Sequence, residues 1–396
     1  MRRQILGALA AATGVLALSA AIPTTAQAQA VRGVTDTEIV IGTYTDLSGV
    51  TVAWGVNNAN SIRMAFDEVN AKGGIHGRKI KYIIEDNQYQ VPRSIQAANK
   101  LINRDNVFLM IANAGTPMNN ATMPDQLAKN VPNIFPLTSA RSMYEPYHRL
   151  KFGLASSYYD QMRAAVKYLV EVKGKKALCA MYQDTDFGRD VMDGVRAQMD
   201  AMKLTLVAES AHKPTDADFS ASVAKLKDAK CDVVMLGAIV RDTNQIVSSI
   251  RKIGWDVLVM NQVAGYDSAV AEVPGGATEG MLCMTSALFV SADDPNPAVQ
   301  AFLKNYKQLY GRDPNFAAQI GYTAATTLIE GLQKAGRTLT LDSFIAGMEQ
   351  VKDFKDIFGS PPMSFGPNVR QGSNRSYIAV VKGGKWALAE TNPVGY

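Results

Sequence analysis

Apolar and polar positions follow one repeating order along most of this chain. A short apolar run, Ile39-Val40-Ile41-Gly42, leads into the polar turn Thr45-Asp46-Leu47-Ser48-Gly49. Ile62, Ala65, Phe66 and Val69 then recur at the spacing of one helix face, and Asn70-Ala71-Lys72-Gly73-Gly74-Ile75 supplies a Gly-rich stop. A second apolar strand ends in Glu85-Asp86, completing a βαβ unit. The same order predicts helices over 92–104, 117–129, 159–172, 187–202, 219–229 and 243–253. Between them it predicts strands over 107–112, 133–137, 152–154, 177–182, 204–210, 232–236 and 257–260. Strands alternating with helices of this length call for parallel sheets covered on both faces.

The later part differs. A strand over 281–287 is followed by the loop Asp293-Asp294-Pro295-Asn296-Pro297, a helix over 298–310 and a long helix over 316–335 with many small residues. Segments 376–381 and 386–388 flank Gly383-Gly384 and read as a hairpin. So many βα units exceed what one open sheet comfortably holds. The fold class is therefore α/β, with two doubly wound parallel-sheet lobes.

Composition supports this and narrows the function. The chain has 396 residues, of which 47% are hydrophobic and 19% charged, as in globular proteins of about two domains. Its net charge of +5 falls to +3 without the first thirty residues, which hold Arg2 and Arg3 and no acid. That excess is spread along the chain, so nucleic-acid binding is not indicated. Arg2-Arg3, the Ala-, Leu- and Val-rich stretch from Ile5 to Ile22, and the sites Ala26-Gln27-Ala28 and Ala28-Gln29-Ala30 read as a cleaved secretory signal peptide rather than a transmembrane anchor. No later segment is long and apolar enough to span a bilayer, so a soluble, exported protein is expected. Cys179, Cys231 and Cys283 are odd in number; a bridge between Cys179 and Cys231 is possible, and buried thiols are the preferred reading.

The run from Gly42 to Gly49, a helix ending Val69-Asn70-Ala71-Lys72-Gly73-Gly74-Ile75 and a strand ending Glu85-Asp86-Asn87 together resemble the branched-chain amino-acid type of periplasmic substrate-binding protein, which feeds ABC transporters. The resemblance covers nearly all of the mature chain. It implies a type I periplasmic binding fold with a three-segment hinge, crossed near Ser157, Ser286 and Phe365. It divides the chain into a signal peptide (1–30), a first lobe (31–157 plus 287–365) and a second lobe (158–286 plus 366–396). Many relatives carry a disulfide in the first lobe; this chain has no cysteine there.

Enzyme signatures are missing. There is no phosphate loop, GxSxG elbow, HExxH or CxxC, and His76, His148 and His212 lack metal-ligand spacing. No catalytic residue, metal or cofactor is expected. Asp184 and Asp186 read as loop and cap residues.

Binding chemistry is better supported, because open α/β sheets bind ligands at the carboxyl ends of their strands. One strand delivers Asn113-Ala114-Gly115-Thr116-Pro117. Pro117 suits the first helical position, which puts Thr116 at the N-cap beside free N–H groups that suit a carboxylate. The next strand delivers Pro136-Leu137-Thr138-Ser139 to the same edge. The resemblance places Asn113, Leu137 (through its backbone) and Ser139 at the carboxylate end, and Trp54 over the ligand. It places Tyr158, Phe187, Ile239 and Val263 on the second lobe's side of the cleft. Where amino-acid binders have a carboxylate for the ligand's ammonium, the matching position here is Val263. An unpaired buried ammonium costs several kcal/mol, so such a site selects against α-amino acids unless Asp184, Asp186 or Asp267 reaches in. Tyr44 and Tyr266 join the aromatic candidates, and Arg141 and Arg241 could meet a second anionic group.

The expected function is that of a monomeric periplasmic solute receptor for an ABC importer. It binds a small aromatic acid by hinge closure and hands it to a membrane permease. The alternatives are a branched-chain amino-acid binder, a periplasmic amide or ligand sensor, and an exported hydrolase, which no nucleophile–base spacing favours.

Overall fold

A computed structural model describes residues 30–396, so nearly all of the expected leader lies outside the described residues. Five parallel strands form the first sheet: β1 (Glu38–Thr45), β2 (Lys79–Asp86), β3 (Leu109–Ile111), β4 (Asn133–Ile134) and β5 (Lys151–Phe152), in the order β2-β1-β3-β4-β5. Connecting helices α1 (Val52–Ala71), α2 (Val91–Asn103) and α3 (Thr116–Ala128) cover it. Separate apolar clusters lie on its two faces. Ile39, Ile41, Ile62 and Phe66 belong to one, and Tyr44, Leu101, Met110 and Met118 to the other. Double coverage explains why β3 and the Ile39–Gly42 run of β1 are wholly apolar.

Helix α4 (Tyr158–Glu171) leads into the second sheet. Its strands are β6 (Leu178–Gln183), β7 (Ala208–His212), β8 (Val233–Gly237), β9 (Leu258–Asn261), β10 (Leu282–Thr285), β11 (Tyr377–Lys382) and β12 (Lys385–Leu388), in the order β12-β11-β10-β9-β8-β6-β7. Strands β6 to β10 are parallel. The hairpin β11–β12 adds antiparallel to β10, its turn made by Gly383 and Gly384, both at positive φ. Helices α5 (Asp186–Ala201), α6 (Ser220–Asp228) and α7 (Val240–Lys252) connect these strands, and the short α8 (Ser268–Ala271) follows β9.

After β10 the chain forms α9 (Pro297–Tyr310), α10 (Phe316–Lys334) and α11 (Leu341–Glu349), then returns to β11. Helix α10 lies close against α1. A Cβ on Gly321 would stand 2.3 Å from Ser61 Oγ, and Asn58 Nδ2 donates to Ala317 O at 3.1 Å. The small residues of this helix therefore serve close packing.

Two expected strands end early for the same reason. The strand expected over 107–112 stops at Ile111 because Ala112 has φ +54°, and that expected over 133–137 stops at Ile134 because Phe135 has φ +48°. Left-handed backbone at buried non-glycine residues breaks the ladder and costs roughly 1–3 kcal/mol each. Both turns send the following residues out of the sheet at its carboxyl edge.

The preference for buried thiols is corrected. Cys179 on β6 and Cys231, just before the adjacent β8, form a disulfide across a Cα separation of 5.8 Å. Strand pairing brings the two backbones within bridging range. Cys283 is free and buried.

Asp160, in the first turn of α4, is met by residues far apart in sequence. Ser157 and Asp160 form a capping box. Gln371 Nε2 donates to Asp160 at 2.6 Å, and the Tyr396 hydroxyl donates to it at 3.1 Å. Beside it, Ser156 Oγ and Ser376 Oγ lie 2.5 Å apart.

Candidate functional site

A cavity of about 230 Å3 lies between the carboxyl edges of the two sheets. One wall comes from the first sheet. Asp46 is fully buried and accepts from the N–H groups of Ser48, Gly49 and Thr51 and from the Thr51 hydroxyl. This ties down the loop that carries Thr51, Val52 and Trp54 to the cavity rim. Gly55 sits so close to Asp46 that a Cβ there would meet its carbonyl at 1.9 Å.

The turns after Ala112 and Phe135 supply the rest of that wall, including Thr116, Leu137 and Ser139. The helix cap differs from expectation. α3 begins at Thr116 with Gly115 as its cap residue at φ +91°, so Pro117 is the second helical residue, and the Thr116 hydroxyl pairs instead with that of Thr138 at 2.6 Å. Among the described residues, the N–H groups of Thr116, Met118 and Ser139 have no protein acceptor. They stand at the positive end of α3, where an anion is favoured.

The facing wall comes from the second sheet's connections: Tyr158, Phe187, Ile239, Arg241, Val263 and Ala264. Tyr158 and Phe187 meet edge to face with ring centroids 5.1 Å apart. Val263 opens a short turn after β9, its N–H donating to Gln161 Oε1 at 3.0 Å.

Thus Trp54, Thr116, Leu137, Ser139, Tyr158, Phe187, Ile239 and Val263 all line one cavity. The Leu137 backbone, expected to hold a carboxylate, is spent on pairing with the neighbouring strand end: its N–H donates to Asn113 O at 2.9 Å and its carbonyl accepts from Gly115 N. Three expected residues do not. Tyr44 lies in the core under α3, its hydroxyl paired with Thr122 Oγ1 at 2.7 Å, because strand alternation turns it onto the helix-covered face. Asn113 is buried and spent on neighbours, accepting from Tyr44 N and donating to Asn133 Oδ1. Tyr266 stands behind the wall, packed edge to face on Phe316 at 4.7 Å and tilted against Trp386 at 4.8 Å, its hydroxyl accepting from Phe289 N.

Among the described residues, no carboxylate lines the cavity. Asp184 and Asp186 pair with Arg189 at 3.1 and 3.2 Å, and Asp267 caps α8 and accepts from Asn315 Nδ2. Arg141 is also outside, laid over the Tyr159 ring, whereas Arg241 is the one charged side chain in the wall among the described residues. Sequence reasoning missed Tyr89, Met143, Tyr144, Ser286 and Ile320. Tyr89 follows the end of β2 at the same sheet edge, a signal that could have found it.

Beside the cavity, polar contacts join the two walls. Asn120 Nδ2 on α3 donates to Asp186 Oδ2 on α5 at 2.9 Å. Arg141 N donates to both Asp190 oxygens at 3.2 Å, and its guanidinium lies 3.5 Å from Asp193. Burial pushes the Asp190 carboxyl up to about 7, against the lowering pull of Arg141. Among the described residues, no group of His, Cys, Asp and Glu is placed to hold a metal, and no helix is long and apolar enough to cross a membrane.

This arrangement of parallel sheets around an edge cavity is that of a ligand-binding protein, and residues 38–385 match the family model described as periplasmic binding protein. The chain belongs to that family and has the type I fold of its branched-chain amino-acid type. It is 24% identical over 335 residues to the Leu/Ile/Val-binding protein BraC3 of Rhizobium johnstonii, covering 81% of this chain and 86% of that one. Among solved structures, a branched chain amino acid ABC transporter protein from Thermus thermophilus with bound valine matches with a TM-score of 0.82 at 18% identity, covering 91% of this chain and 97% of that one. The fatty acid ABC transporter substrate-binding protein from Thermomonospora curvata matches with a TM-score of 0.81 at 24% identity, covering 91% and 94%.

Proposed function

We propose that this protein is a non-enzymatic, exported solute receptor that delivers a small aromatic carboxylate to the membrane permease of an ABC importer. The observation that carries the ligand class is the cavity wall. It is mostly apolar and aromatic, offers free N–H groups at the start of α3, and among the described residues contains no acid to pair an ammonium. A branched-chain amino acid would bury its ammonium unpaired, at a cost of several kcal/mol. The Thermomonospora curvata neighbour, described as a fatty acid protein, offers a precedent for a carboxylate without an amine on this fold.

The carboxylate sits against the N–H groups of Thr116, Met118 and Ser139, and the ring lies among Trp54, Tyr158, Phe187, Ile239 and Val263. The protein works as two lobes, 31–157 with 287–365 and 158–286 with 366–396. The ligand docks on the first and the second swings over it, giving the permease one shape to recognise. A ligand that held both shapes equally would shift nothing.

Titration calorimetry with cinnamate, benzoate and leucine tests the class. Aromatic acids are expected to bind and leucine not; tight leucine binding without response to aromatic acids rejects it. Small-angle scattering should show a smaller radius with ligand than without, and an unchanged radius rejects closure. A sensor role is separated from transport by reconstituting uptake with the permease.

A further inference from the structure

The proposed reading places the ligand's carboxylate on the first wall but leaves Arg241, on the facing wall, without a task. Arg241 stands in the first turn of α7, and its side chain is 30% exposed. It is held on one side only. Nε donates to Asp242 Oδ1 at 2.7 Å, and Nη2 approaches the same oxygen at 2.6 Å and donates to Pro214 O at 2.6 Å. Asp242 is fully buried and is also met by His212 Nε2 at 3.2 Å. Among the described residues Nη1 has no acceptor, and Arg241 is part of the cavity wall.

Tyr89 supplies a second donor in the same cavity. Gln88 and Tyr89 both adopt left-handed backbone, at φ +51° and +53°, an arrangement non-glycine residues avoid unless their surroundings enforce it. The buried Asn87 enforces it: its Oδ1 accepts from Tyr89 N at 3.0 Å while its Nδ2 donates to Ser94 Oγ at 3.0 Å. The result holds the Tyr89 ring against Gly115, where a Cβ would meet Tyr89 Cε2 at 3.0 Å. The Tyr89 hydroxyl makes no hydrogen bond among the described residues. Burial raises its pKa, so it stays a neutral donor.

We infer that Arg241 and Tyr89 form an acceptor subsite that selects aromatic monocarboxylates bearing a neutral oxygen substituent, such as a phenolic hydroxyl, on the ring. The inference rests on the aromatic-acid reading and goes beyond it in naming the substituent. Charge decides which substituent fits. Asp242 already matches the Arg241 charge at contact distance. A second ligand carboxylate would therefore be a surplus buried anion, whereas an uncharged oxygen can accept from Nη1 without one. An unsubstituted ring would leave both donors unpaired under the closed cavity.

Calorimetry with 4-hydroxycinnamate, cinnamate and 4-carboxycinnamate tests this on the wild type and on Tyr89→Phe and Arg241→Lys. The lysine retains a positive charge beside Asp242, and melting curves of both variants check folding. In the wild type, 4-hydroxycinnamate is expected to bind about tenfold more tightly than cinnamate, and 4-carboxycinnamate more weakly than either. Each variant should lose most of the hydroxyl preference, read as the ratio of its own affinities for 4-hydroxycinnamate and cinnamate. Equal wild-type affinities for cinnamate and its hydroxyl form, a preference that survives both substitutions, or tightest binding of the dicarboxylate overturns the subsite alone. Failure of all three to bind overturns the aromatic-acid reading as well.

Discussion

Asp190 offers a quantitative test of the contacts between the two walls. Its carboxylate is half-buried on α5 and receives the Arg141 N–H on both oxygens, and burial lifts its pKa from 3.8 to about 7. The folded protein therefore holds a proton that the unfolded chain has released. Stability with respect to pH falls wherever the native state binds more protons. Asp190 thus destabilises increasingly as pH rises from 3.8 to 7, and by a constant amount above that. At 1.36 kcal/mol per unit, the loss between pH 5 and pH 8 is about 2.6 kcal/mol at most, and partial solvent screening brings it to roughly 1–2 kcal/mol. Asp190→Asn keeps an acceptor for Arg141 and cannot ionise. Urea unfolding of both proteins at pH 5, 6, 7 and 8 isolates the effect, because every other group is shared. The variant should gain on the wild type as pH rises, with the gain levelling off above pH 7. A difference that stays flat, or that shrinks with rising pH, refutes the assignment.

Further outcomes follow from the same geometry. Val263→Glu puts a carboxylate into the cavity wall and should bring measurable leucine binding while weakening cinnamate at least about tenfold, read by calorimetry; unchanged selectivity would show that Val263 does not face the ligand. Ala112→Val forces a β-branched residue into left-handed backbone and should cost roughly 1–3 kcal/mol in urea unfolding, far more than the same change on an exposed helix. Replacing both Cys179 and Cys231 with Ala should lower stability by roughly 2–4 kcal/mol, and a non-denaturing thiol assay should find Cys283 unreactive in the wild type. Gly321→Ala should weaken the α1–α10 packing and lower the melting temperature, with no change if the helices can part to admit a methyl group.

Much of this was readable from periodicity. The βαβ alternation, the hairpin at Gly383-Gly384 and the two strand ends that deliver Thr116 and Ser139 all leave marks in residue order. The left-handed turns do not. Ala112 and Phe135 are ordinary residues whose N–H groups pair with Ile134 O and Phe152 O, remote in sequence, and Tyr89 is turned by the side chain of Asn87, which residue order does not mark as a turn former here. Aromatic character alone misplaced Tyr44 and Tyr266, since a ring near a strand end can equally fill the core. Asn113 sits on the correct strand end, but its side chain is consumed by Tyr44 and Asn133, a partnership no local pattern reveals. Ile320 lies on a helix of small residues with no evident polar face, and only the packing of α10 against α1 decides where it points.

The carboxylate of Asp160 acts as an axle pin. Ser157, Gln371 and Tyr396, far apart in sequence, all bear on this one carboxylate, so losing it would free three contacts at once. Tyr144, whose ring borders the cavity, donates to Ser157 Oγ at 3.1 Å and so touches that pin directly. A guest that shifts this ring therefore meets, one hydrogen bond further on, the contact that ties these three residues together.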